Sequence, residues 1–255
     1  MNMHIAERNA LPDEPPIRRV FRDVIVDRMA GLQPPQAAML FQSSVDPLWT
    51  DDRFFLGDFY NEILHQDTCQ PGTADGVPLL AVLAVDDRVP PQQRFEAINL
   101  LFSTATAADR HLADCWPNSP RHADPESEDR AREAVRSCAP DLLARWAAEC
   151  PAVRLALAGL AVAFPTARTL PALTPRLRGF VEQHPPGTDI GDYVRFILVL
   201  AAENNDQTFA TVESLTNTYW ESTSRGAPAP ARALHLLGQM MNRVKTGLTR
   251  SRPRE

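Results

Sequence analysis

Apolar positions along the chain recur almost everywhere at three- and four-residue spacing, and no stretch keeps a period of two. That pattern predicts helices throughout and no sheet. Ile17, Val20, Phe21, Val24, Ile25 and Met29 outline the first helix, a short one follows over Ala37 to Phe41, and Leu56 to Leu64 reads as another. Gln70 to Gly76 is rich in turn residues. Beyond it come a short apolar run, Val77 to Val85, and a helix opened by Pro90–Pro91 that carries Ile98, Leu101 and Phe102. Thr104 to Glu126 is polar and reads as a loop insertion. Asp124–Pro125 supplies a cap and a first-turn proline for the next helix. Pro140, Pro151 and Pro171 are read as further helix starts, Asp189 and Asp206 as caps, and Pro228 and Pro230 as the lead into Ala231 to Leu248.

Four of these helices align on one arginine: Arg94-Phe-Glu-Ala-Ile-Asn-Leu-Leu, Arg154-Leu-Ala-Leu-Ala-Gly-Leu-Ala, Arg195-Phe-Ile-Leu-Val-Leu-Ala-Ala and Arg232-Ala-Leu-His-Leu-Leu-Gly-Gln. They lie 60, 41 and 37 residues apart, and Pro91, Pro151 and Pro230 sit just upstream of three of them. The last two intervals suit a helix pair; the first suits a pair plus the 104–126 insertion. A lone pair cannot cover its own apolar face, so such units stack and share a core. Over residues 77–248 the pattern resembles HEAT repeats, particularly the short units of bilin-lyase-type proteins, in which a Val-Arg pair opens the second helix. Val153–Arg154 and Val194–Arg195 match that pair, whereas Gln93 and Ala231 precede the other two arginines; only Asp192 supplies the Asp that the family often places before its Arg. The resemblance implies an all-α, right-handed α-solenoid of about four helix pairs. The remaining organisation is a loose N-terminus (1–16), a helical cap (17–76) and a basic tail (249–255).

Composition narrows function mainly by exclusion. The 255 residues include 11 glycines and 23 prolines, and no two glycines are adjacent or separated by one residue, so a dinucleotide-binding fingerprint is absent. The single lysine, Lys245, follows Val244, which leaves no phosphate-binding loop, and neither H-E-x-x-H nor G-x-S-x-G occurs. A net charge of −6 argues against a nucleic-acid binder, despite a C-terminus carrying Arg243, Lys245, Arg250, Arg252 and Arg254. Cys69, Cys115, Cys138 and Cys150 form no paired motif. The N-terminus lacks the apolar run of a signal peptide, and Leu155 to Phe164 is half the length of a membrane span. These features lead to an expectation of a cytoplasmic protein with reduced thiols and no membrane association.

Several groups of residues invite chemistry. Arg94, Arg154 and Arg195 would form a row in stacked repeats and could bind anions. The HEAT resemblance instead implies that each bonds carbonyls or acids between helices, and a guanidinium near a helix start needs a local partner because it opposes the helix dipole. Glu62 and His65 form E-x-x-H, but a carboxylate-bridged di-metal site needs a second such motif. His111, Asp114 and Cys115 offer three mixed ligands without a fourth. Neither set calls for a metal or cofactor. The aromatic, acidic stretch Trp49 to Tyr60 reads either as part of the N-terminal cap or as a partner surface. Glu203–Asn204–Asn205–Asp206 forms a helix corner, and Tyr219 with Trp220 lies near the end of the following helix, as core or as a ligand-stacking edge.

The expectation is a non-catalytic recognition or scaffold protein that binds a protein partner, with Arg94, Arg154, Arg195, Glu203, Tyr219 and Trp220 as candidate contacts. The alternative is an enzyme on the same frame. A lyase or cyclase acting on a small metabolite stays open, while a DNA glycosylase would want a basic face.

Overall fold

The computed structural model describes residues 64, 65, 67–166, 168–219, 224 and 226–250. Among them the chain is all-α apart from one small hairpin, β1 (Leu64–His65) paired antiparallel with β2 (Thr68–Cys69). Nine helices follow: α1 (Thr73–Val85), α2 (Pro91–Ala105), α3 (Ala107–Cys115), α4 (Pro125–Ala144), α5 (Pro151–Ala163), α6 (Thr169–Gln183), α7 (Asp189–Ala201), α8 (Asn205–Tyr219) and α9 (Ala229–Arg250). A 3-10 turn, Arg145–Ala147, extends α4.

Pro91, Pro125 and Pro151 each occupy the first turn of a helix, where the missing N–H has no helical partner to lose. Other starts differ from the sequence expectation. Pro140 does not open a helix: α4 runs through it, because Val135, Ala139, Leu142 and Leu143 form one continuous buried face on both sides. α6 begins at Thr169, two residues ahead of Pro171, behind a reciprocal pair of bonds. Thr166 Oγ1 accepts from the Thr169 N–H at 3.0 Å, and Thr169 Oγ1 accepts from the Thr166 N–H at 2.9 Å. The caps of α7 and α8 are Thr188 and Asn204, which accept from Gly191 N (3.1 Å) and Gln207 N (3.0 Å). Asp189 and Asp206 fall in the first turns, where a carboxylate favours the helix dipole without capping it.

Two further corrections concern segments of weak apolar signal. The expected 104–126 loop contains α3, whose single large aliphatic residue is Leu112 and whose buried positions are Ala107, His111 and Ala113. A helix buried through alanines and a histidine leaves little hydrophobic periodicity to read. Leu64 and His65 lie in β1 and not at the end of a helix. The helices expected over 17–29 and 37–41, the aromatic stretch 49–60 and the basic tail 251–255 lie outside the described residues.

The four arginine-marked helices form the interior. α2 packs on α5, α5 on α7, α7 on α9, and α9 returns to touch α2 and α5. α1 and α4 cover α2, α6 covers α7, α8 covers α9, and α3 fills the space between α9 and α4. The core includes Phe95, Ile98, Phe102, Leu157, Leu160, Phe196, Ile197, Leu237 and Met241. The return of α9 to α2 links the last unit to the first, a contact that a row joined only between neighbours does not make.

Candidate functional site

Of the aligned arginines, Arg94 and Arg232 are buried and Arg154 and Arg195 are half-buried. Arg195 donates from Nη1 to the carbonyls of His184 and Gly191, both at 2.8 Å, and from Nη2 to Val181 O at 3.2 Å. Arg154 donates to Trp146 O and Ala147 O, both at 3.0 Å. In each case the guanidinium at the start of one helix reaches carbonyls at the end of the helical segment before it, Ala147 O and Trp146 O for Arg154 and Val181 O and His184 O for Arg195. Carbonyls near that end gain a donor, and the charge sits at the negative end of that neighbour's dipole. The objection that a cation opposes its own helix start is thereby met.

Arg94 reaches the same outcome through acids. Its Nη1 lies 2.8 Å from Glu149 Oε2 and 3.2 Å from Asp87, and Arg145 bonds the same two carboxylates. The Arg94 and Glu149 side chains are 8% and 1% exposed, so this network locks the α1–α2 turn to the α4–α5 turn within the protein. Arg232, buried at the start of α9, pairs with Glu213 on α8. All four guanidinium groups are engaged by helix-end carbonyls or carboxylates of the protein itself.

The corner residues are placed differently. Glu203 follows α7 with φ 52°, a left-handed conformation usually taken by glycine. It lines an open cleft of about 440 Å³ between the start of α6 and the end of α7, with Pro165, Thr166, Leu170, Pro171, Leu198 and Ala201 among the other walls. Leu198 and Ala201 are only half-buried, and Phe209, one turn into α8, is 53% exposed. Tyr219 closes α8, but its side chain, like all of Trp220, lies outside the described residues.

A polar cluster that sequence reasoning only touched surrounds α3. His111 Nδ1 lies 2.9 Å from Glu128 Oε1 on α4, and His235 Nδ1 on α9 lies 3.3 Å from Asp114 Oδ1. Arg110 pairs with Asp67 at 3.1 Å and donates to Ser103 O at 3.1 Å. Burial, with the Arg110 charge beside it, pushes the His235 imidazole down to about 3, which keeps it neutral. Burial likewise raises the Asp114 carboxyl, and burial with the Glu128 charge pushes the Cys69 thiol up to about 12, so it is no thiolate nucleophile. Among the described residues, the buried His111 Nε2 and Thr104 Oγ1 have no hydrogen-bond partner. His111 and Asp114 were visible as candidate ligands, but Glu128 and His235 are distant in sequence and carried no local signal. Among the described residues no group of three His, Cys, Asp or Glu is placed to hold a metal ion.

Comparison with family models, with curated proteins and with solved structures finds no match for this chain. The geometry is therefore the ground for a functional reading. Among the described residues no helix is long and apolar enough to cross a membrane.

Proposed function

We propose that the protein is a non-catalytic recognition module, a HEAT-like array of helix pairs that binds a protein partner in the cytoplasm. The observation that carries this reading is the corner formed by α6, α7 and α8. There a cleft with apolar walls at Leu170, Pro171, Leu198 and Ala201 lies open, with exposed Phe209 on the helix that follows. Apolar surface left open among the described residues, beside a well-filled core, favours association. The aligned arginines serve the frame, so recognition is assigned to this corner and not to them. Affinity capture from the native cell with the wild-type chain and with a Leu198→Asp, Phe209→Asp variant tests the reading. A stoichiometric partner retained by the first and lost by the second is expected. A partner set identical for both would refute it.

A second reading, an enzyme acting on a small metabolite, is favoured by the buried His111–Glu128 pair, since a carboxylate beside an imidazole is a common acid–base arrangement. Turnover of a component of a metabolite extract by the wild type, lost in Glu128→Gln, would establish it.

A further inference from the structure

We infer that the α6–α7 cleft takes a cationic side chain, arginine or lysine, presented beside an apolar residue by the partner protein. This inference rests on the recognition reading above and specifies its chemistry.

The cleft's electrostatics are one-sided. Glu203 is the one charged residue among the described residues that line it. It lies just past the C-cap of α7, Ala202, near the end where the helix dipole adds partial negative charge. The opposite wall is the N-terminal end of α6, which would ordinarily attract anions. Its leading N–H groups are already engaged: Thr166 Oγ1 accepts from Thr169 N and from Arg168 N, and the Thr166 carbonyl accepts from Leu170 N. The reciprocal Thr166–Thr169 pair thus leaves these N–H groups unavailable to an anion, and Arg168 at the α6 N-cap is not among the residues lining the cleft, whereas Glu203 is. Asp206, in the first turn of α8, adds a further carboxylate at the same corner.

Glu203 is also an expensive residue to keep where it stands. A left-handed backbone at a non-glycine residue is strained, and glycine would occupy the position without that strain. A carboxylate held there at that cost suits a role for its charge. The apolar walls accommodate an aliphatic stem or a neighbouring apolar side chain, and the acid meets the cationic head.

The test uses the full chain and two small probes of nearly equal shape, n-butylguanidinium and neutral n-butylurea, followed by the amide shifts of Leu170, Leu198, Ala201 and Glu203. The guanidinium is expected to bind about tenfold more tightly than the urea, and Glu203→Gln is expected to bring the two together. Glu203→Gly should lose the preference equally while folding at least as well as wild type, which separates charge from stability. Equal binding of both probes to the wild type, or a preference that survives Glu203→Gln, overturns the inference. A random-peptide display selection on the same chain separates it from the reading on which it rests. Enrichment of peptides with Arg or Lys beside an apolar residue supports both. Enrichment of peptides without a basic residue overturns the cationic inference alone, and no enrichment overturns recognition of a protein segment.

Discussion

The hydroxyl of Tyr193 occupies the space that a side chain at Gly159 would need. It donates to Leu155 O at 2.9 Å, and a Cβ on Gly159 would sit 2.6 Å from the Tyr193 oxygen and 3.4 Å from Met241 Sδ. α5, α7 and α9 meet at this point, so one glycine sets how closely three interior helices pack. Gly159→Ala should destabilise the protein by about 1–3 kcal/mol, as overpacking does in a filled core. Tyr193→Phe removes the obstructing oxygen, so the double variant should recover part of the loss. Urea midpoints of the wild type, both single variants and the double variant check the coupling; strict additivity would count against the contact.

Arg195 is a second structural tie with a measurable signature. Its guanidinium spans three carbonyls at the end of α6 and the start of α7, which the single ammonium of lysine cannot do. Arg195→Ala should cost about 1–3 kcal/mol and Arg195→Lys less. Amide exchange should accelerate in the last turn of α6 in both variants while remaining slow in α2.

The Arg94–Glu149 pair should behave as a buried ion pair. Removing one partner leaves the other charge uncompensated, so Arg94→Met or Glu149→Leu alone should cost about 3–5 kcal/mol. Changing both together should restore most of that loss. Chemical denaturation of the three variants tests this, and a double variant no better than the singles would show that geometry rather than charge holds the turns.

His235 predicts an acid-sensitive fold. Its imidazole titrates near 6.5 when unfolded and at about 3 in the folded protein. Between those values the unfolded chain binds the extra proton, so this contribution is complete above pH 6.5 and declines as pH falls towards 3. The slope is at most about 1.4 kcal/mol per pH unit. His235→Gln should flatten the dependence of the urea midpoint between pH 7 and 4 relative to wild type. An unchanged slope would place the acid sensitivity elsewhere.

Glu203→Gly should stabilise the protein by about 0.5–1 kcal/mol, since glycine accepts the left-handed backbone at φ 52°. A raised melting temperature is the expected outcome, and a lowered one would mean the side chain holds the corner together.

Much of the helical framework was legible from spacing and punctuation. The runs Ile98 to Phe102, Leu155 to Ala161 and Phe196 to Ile197 are buried along interior helices, as their apolar density implied. Pro91, Pro125 and Pro151 lie in first turns as read. Pro140 misled because a proline's local preference was outweighed by a buried face extending past it. α3 was missed because alanine and histidine supply a buried surface without a hydrophobic period. The candidate site was less legible. An arginine looks the same in sequence whether it faces an anion or a neighbouring helix's carbonyls, and the sequence carries no mark of the backbone sign at Glu203.

The chain's 11 glycines and 23 prolines, with their three- and four-residue apolar spacing, were enough to determine a helical protein and to align four of its helices on one arginine. Those features are local: turn chemistry and periodicity act within a few residues. Tertiary structure alone decided that the four aligned helices touch one another, that α9 returns to α2, and that the arginines are consumed by helix ends and buried acids. It also brought Leu170 and Leu198 to the walls of one cleft beside Glu203. Such relationships join segments far apart in the chain, and their geometry follows from how the apolar faces pack together rather than from the order of residues in any one of them.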